Sequence, residues 1–137
     1  MGVDRLNTNI KTVLIVDDEK YIRQSFVDFF EDRLWRPLAA KSGEQALEIL
    51  DNVAPHGAIV DIRLAGMDGD TFIREAYRKR PETAFVICTG SPEYDVPADL
   101  LELSCVSEQI FRKSVTDLYS LEQHILELIN TLHTNQI

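Results

Sequence analysis

The chain has no surplus of basic residues: 14 Lys and Arg stand against 23 Asp and Glu, a formal net charge of −9. A protein held to nucleic acid through its phosphates needs a basic face, so this balance argues against that class. An acidic surface can instead steer a basic protein partner. No apolar run is long enough to cross a bilayer, and no charged-then-apolar leader opens the sequence, so a cytoplasmic location is expected. Cysteine is scarce. Cys88 falls inside an apolar run, Cys105 near an expected helix end, and neither belongs to a CxxC pair, so both read as reduced thiols. The one basic cluster, Arg78-Lys79-Arg80, follows an amphipathic segment and precedes Pro81, as a solvated helix end does.

What is present is alternation. At 137 residues the chain suits one domain with a real core. Near-continuous apolar runs, the pattern of buried parallel strands, cover Thr12–Val16, Ala58–Val60, Ala84–Cys88 and Gln109–Arg112, and a shorter strand is expected at Leu38–Ala40. Helical faces fall between them. One carries Ile22, Phe26, Phe29 and Phe30, and a second follows a capping box at Ser42–Gln45. A third carries Phe72, Ile73, Ala76 and Tyr77 behind a cap at Asp70 or Thr71, and a short one is expected over 98–104. The last carries Leu118, Leu121, Ile125, Leu128, Ile129 and Leu132 and packs on the sheet. Five strand–helix alternations without an internal repeat predict an α/β fold: one doubly wound (βα)5 domain with a central five-stranded parallel sheet. The domain is expected over residues 11–134, between a flexible lead-in (1–10) and a short tail (135–137), with no second domain in view.

Four of the apolar runs end on polar residues suited to phosphate or metal: Asp17 and Asp18, Asp61, Thr89, and Lys113. Open α/β sheets bind ligands beyond the carboxyl ends of their strands, so these five positions converge on one site. Taken singly each has a plain reading, Asp17-Asp18 as helix caps, Asp61 and Thr89-Gly90-Ser91 as turns, and Lys113 as a surface lysine. Their coincidence in one alternating chain favours a divalent cation and a phosphoryl group. Asp18 and Asp61 are candidate Mg²⁺ ligands, with Asp17 on a bound water and the backbone carbonyl of Arg63 at another position. Asp61 would serve as nucleophile, and Thr89 and Lys113 would contact the phosphoryl oxygens.

On VLIVDDE, the IVDIRLAGMDG stretch around Asp61, VICTG and IFRK, the chain resembles a response-regulator receiver domain (CheY-like) of two-component signalling. The resemblance implies that Asp61 is a phosphoacceptor, taking its phosphoryl group from a sensor histidine kinase or a histidine phosphotransfer protein. Asp17 and Asp18 would be the acidic pair for Mg²⁺, Thr89 the hydroxyl that moves toward the phosphoryl group, and Lys113 its cation. Output would pass to an unknown downstream protein from the face made by the fourth helix, fifth strand and fifth helix. A monomer or weak dimer is expected, with no enzyme activity beyond self-catalysed transfer and slow dephosphorylation.

Three departures from that pattern stand out. Ser114 replaces the proline that usually follows the lysine, and a cis bond before a non-proline residue costs about 2.5–4 kcal/mol. Ile110 stands where the family's switching aromatic usually lies, so output through another surface or a smaller shift is expected. Pro92 and Pro97 shorten the fourth helix. Apart from these departures, Arg63 reads equally as leaning over the site mouth or as a solvated loop arginine. Three rivals fare less well. A haloacid-dehalogenase-type phosphatase wants a second Asp two positions after the nucleophile, where Arg63 stands. A flavin-binding flavodoxin-like protein wants a larger phosphate loop than Thr89-Gly90-Ser91. A pseudo-receiver, a docking module not regulated by phosphorylation, is opposed by all five polar positions and kept open by Ser114 and Ile110.

Overall fold

The computed structural model describes residues 10–114 and 116–135. The expected lead-in and tail therefore lie, Ile10 and Asn135 apart, outside the described residues. The element order is β1 (Thr12–Val16), α1 (Lys20–Asp32), β2 (Arg36–Ala40), α2 (Gly43–Leu50), β3 (Gly57–Val60), α3 (Gly69–Lys79), β4 (Ala84–Thr89), α4 (Ala98–Leu101), β5 (Val106–Arg112) and α5 (Leu118–Asn135). All strand pairs are parallel and the sheet order is β2-β1-β3-β4-β5, the doubly wound arrangement expected. The order reverses between β1 and β3, which opens a crevice at their carboxyl ends. No helix among the described residues is long and apolar enough to cross a membrane.

β3 and β4 are buried along their whole lengths, which is why they read as unbroken apolar runs. Helices cover both faces. α1 and α5 meet on one side through Phe29 and Tyr119, whose rings pack edge-on at 5.2 Å. The buried carboxylate of Glu122 in α5 accepts from Arg33 Nε at 2.9 Å and Trp35 Nε1 at 2.8 Å, tying the end of α1 and the approach to β2 onto α5. On the other side α2, α3 and α4 lie in a row. There the basic cluster is more than a solvated end: Lys79 pairs with Asp51 at 2.6 Å, and Arg80 Nε donates to the Leu50 carbonyl at 2.9 Å.

Several boundaries differ from expectation for local reasons. β2 starts at Arg36 rather than Leu38, because Pro37 is tolerated on an edge strand. Arg36 N–H donates inward to the Lys11 carbonyl, so the nitrogen of Pro37 faces the open edge. β5 starts at Val106, three residues early, with a register irregularity opposite Phe85–Ile87 where Ser107 Oγ accepts from Gln109 N. α4 ends at Leu101, short of the expected Ser104, because the chain turns there to enter β5. The capping box at Ser42 is half as expected: Ser42 Oγ accepts from Gln45 N, while the Gln45 side chain reaches Lys41 N instead of Ser42 N.

The cap of α3 is Asp68, whose carboxylate accepts from Thr71 N at 2.8 Å; the expected Asp70 or Thr71 lies inside the helix. The reason is close approach. Gly69 N donates to the Ile62 carbonyl at 2.9 Å, and a Cβ on Gly69 would lie 2.4 Å from the Asp61 carbonyl oxygen. The 63–69 loop thus folds back onto the residues that follow β3, and only glycine lets α3 begin there.

Candidate functional site

The register of β1 on β3 pairs Val16 with Val60, so Asp17 and Asp61 leave adjacent strands side by side. Asp61 N–H donates to the Val16 carbonyl at 2.9 Å, which locks the two strand ends together. Both aspartates are almost wholly buried, Asp17 at 3% and Asp61 at 4% exposure, whereas Asp18 faces solvent. Oxygen atoms of Asp17, Asp18 and Asp61 come within 4.8 Å of one another. Asp17 Oδ1 also accepts from Glu19 N at 2.9 Å, but the residue that caps α1 is Glu19, without a side-chain cap bond, so the plain reading of Asp17 and Asp18 as helix caps does not hold.

Lys113, just past β5, reaches over this corner. Its Nζ lies 2.9 Å from Asp17 Oδ2, Asp61 Oδ2 and Glu19 Oε2 alike. Among the described residues no peptide bond is cis, so Lys113-Ser114 is trans, and the ammonium still reaches the carboxylates. Burial alone would push the lysine toward its neutral form, but hydrogen bonds to Asp17, Asp61 and Glu19 outweigh it and hold the pKa above the ordinary lysine value. For Asp17 burial raises the pKa, opposed by Lys113 and by the Glu19 N–H. The corner thus gathers four carboxylates, Asp17, Asp18, Glu19 and Asp61, around one ammonium.

Thr89 closes β4 with no exposure, and its Oγ1 accepts from Ser91 N at 3.2 Å. Its carbonyl accepts from Lys113 N at 3.1 Å, so the threonine and the lysine share one backbone link. Arg63 does lean across the mouth: its Nη2 donates to Ser91 Oγ at 3.2 Å, while its backbone N–H lies 3.4 Å from Asp61 Oδ1. These groups line an open cleft of about 500 Å³ whose floor is Asp61.

All six expected positions, Asp17, Asp18, Asp61, Arg63, Thr89 and Lys113, thus meet at one end of the sheet. Sequence reasoning missed two contributors. Glu19 reads only as the first residue before a helix, although it stands directly after the acidic pair. Arg112, beside Lys113, sends its guanidinium to the Ser91 and Tyr94 carbonyls at 2.5 and 3.2 Å.

A family model described as the response regulator receiver domain matches residues 13–117. The chain belongs to that family. The receiver domain is 34% identical to the sensor kinase CckA of Brucella abortus over 94 residues, 64% of this chain and 10% of that protein. It is 31% identical to the positive alginate biosynthesis regulatory protein of Pseudomonas aeruginosa over 63% of this chain and 36% of that protein. The chain therefore spans about a tenth to a third of these curated relatives. A response regulator receiver domain protein (CheY-like) from Methanospirillum hungatei JF-1 shares the fold with a TM-score of 0.80 at 23% identity, covering 93% of this chain and 99% of that one. The response regulator TrrA from Thermotoga maritima, solved in complex with Mg²⁺-BeF, superposes with a TM-score of 0.73 at 22% identity, covering 87% and 99%.

Three carboxylates with oxygens in mutual reach, one of them solvent-facing, form the hard donor set that Mg²⁺ prefers. A further cation would relieve the repulsion among these carboxylates. The receiver domain's acidic corner is thus compatible with Mg²⁺ and with phosphorylation.

Proposed function

We propose that this receiver domain, over residues 11–134, accepts a phosphoryl group on Asp61 and signals by altered docking on a downstream protein. The donor is a phosphohistidine of a sensor kinase or a phosphotransfer protein, met in the cytoplasm. The single observation carrying this reading is the Lys113 ammonium held 2.9 Å from both Asp17 and Asp61, beside the exposed Asp18. A buried carboxylate with a fixed cation on one oxygen is oriented to attack with the other.

In the transfer, an Asp61 oxygen attacks phosphorus, a P–O bond forms, and the P–N bond to the donor imidazole breaks with its electron pair returning to nitrogen. Asp17, Asp18, Asp61 and the Arg63 carbonyl would hold Mg²⁺, which when bound neutralises charge on the transferring group. Lys113 supplies a second fixed positive charge where the phosphoryl oxygens gather, exchanging its Asp61 contact for one of them. Thr89 offers its hydroxyl to another equatorial oxygen, and Arg63 narrows the approach of hydrolytic water.

Incubation with Mg²⁺ and acetyl phosphate, followed by intact mass, tests this directly. One added phosphoryl group is expected, absent without Mg²⁺ and absent in Asp61→Asn. If neither acetyl phosphate nor a phosphohistidine donor adds mass to the wild type, Asp61 is not a phosphoacceptor.

A further inference from the structure

Thr89 is joined to the start of α3 by a run of polar contacts. Its Oγ1 accepts the N–H of Ser91, itself buried. The guanidinium of Arg112 then spans two carbonyls of the same loop, Ser91 at 2.5 Å and Tyr94 at 3.2 Å. A planar fork holding two carbonyls makes the 91–94 segment move as one piece. Tyr94 in turn donates its phenol to Asp70 Oδ1 in the first turn of α3, at 2.6 Å. Burial and the Asp70 bond hold that phenol above its ordinary pKa, so it stays a donor. Beside it, Arg74 of α3 grips Asp99 of α4 through two bonds of 2.8 and 3.1 Å. The loop and α4 are therefore stitched to α3. Ile110, by contrast, is a half-buried aliphatic residue paired with Ile87, with no polar group to offer the loop.

We propose that the state of Asp61 is read out through this polar run, Ser91–Arg112–Tyr94–Asp70, and emerges on the seam between α3 and α4. The proposal rests on the phosphoacceptor reading above. When the Thr89 side chain swings its hydroxyl onto a phosphoryl oxygen, Oγ1 itself moves away from the Ser91 N–H. A buried N–H stripped of its partner is costly, so the loop shifts to find another. Arg112 carries that shift to Tyr94, and the Tyr94–Asp70 bond lengthens or breaks. The seam where a partner would sense the change contains the Arg74–Asp99 pair.

Coupling of this kind is reciprocal: if phosphoryl loading opens the Tyr94–Asp70 bond, removing that bond must alter affinity at Asp61. The probe is beryllofluoride with Mg²⁺, with binding measured by titration and the response by amide hydrogen exchange. In the wild type, exchange is expected to change over residues 91–101 and in the first turn of α3, with no comparable change at Ile110. Tyr94→Phe, which removes only the hydroxyl, should still bind one equivalent, with affinity raised about fivefold and the α3 and α4 response lost. Arg112→Gln should sever the same route one step earlier. Unchanged affinity and an unchanged α3–α4 response in both variants would overturn the proposal while leaving the phosphoacceptor intact. A wild type that binds no beryllofluoride would overturn both.

Discussion

The two halves of the cleft are held by different kinds of interaction. On the β1–β3 side, Asp17, Asp61 and Lys113 are fixed by strand register and by charge: three strand ends arrive together, and the ammonium is caught between buried carboxylates. On the β4 side, Thr89 and Ser91 are fixed by hydrogen bonds that reach out along a loop to Arg112, Tyr94 and Asp70. The first side is electrostatic and short-ranged, and it suits chemistry. The second is neutral at its start and extends to a helix seam, and it suits transmission.

Breaking the electrostatic side should have the largest effect. Lys113→Ala leaves Asp17 and Asp61 without their shared cation, so phosphoryl gain from acetyl phosphate should slow about a hundredfold by timed intact-mass measurement. Metal-free stability should fall by about 3 kcal/mol in urea denaturation, and Mg²⁺ should restore more stability to the variant than it adds to the wild type. Equal Mg²⁺ effects on both proteins would mean that the lysine and the ion do not share the corner. Arg63 is the side chain that joins the two halves, through its bond to Ser91 Oγ. Arg63→Asn should leave loading intact and shorten the life of the aspartyl phosphate about fivefold, followed by loss of the mass increment. A lifetime equal to that of the wild type would reduce Arg63 to a structural tie.

The smallest effect belongs to the opposite end of the sheet and serves as a control on the comparison. His56 Nδ1 accepts from Thr12 N at 3.0 Å, and burial, with Lys11 and His133 nearby, holds its pKa below the ordinary value. A lowered folded pKa means the unfolded chain binds the proton more readily. This contribution to stability is thus full above a pH of about 6.5 and is lost as pH falls through the folded value. His56→Asn keeps an acceptor for Thr12 but cannot titrate there. Its melting temperature should drop less between pH 7.5 and pH 5 than that of the wild type, with no change in phosphoryl gain at pH 7.5.

The legibility of the sequence follows the same division. The acidic corner could be read because each residue ends an apolar run, and the period-free burial of β1, β3 and β4 leaves the first polar residue conspicuous. Lys113 was legible only as the polar residue that follows Gln109–Arg112, since β5 is not buried throughout, and its reach survives Ser114 on a trans bond. The relay was not legible. Arg112 sits inside a strand whose alternation hides its direction, and the Tyr94–Asp70 bond joins residues 24 apart through a loop that no periodicity describes. The boundary errors have a like cause. Pro37 and the Ser107–Gln109 irregularity are allowed by edge position and by tertiary pairing, and neither leaves a local trace. The cap at Asp68 was missed because Gly69 starts α3 for the sake of contact with Asp61, a constraint invisible until the strand and helix are brought together.

Pro37 has one more consequence, for how copies of this domain can assemble. Its nitrogen faces outward from β2, the outermost strand on that side, and carries no hydrogen to donate. An incoming strand laid along this edge would meet a gap in the ladder at the second residue of β2. Sheet extension between molecules is disfavoured there, as it is along other edges guarded by proline. Copies of this domain are thus kept from pairing along β2, and β5 is the other edge of the sheet.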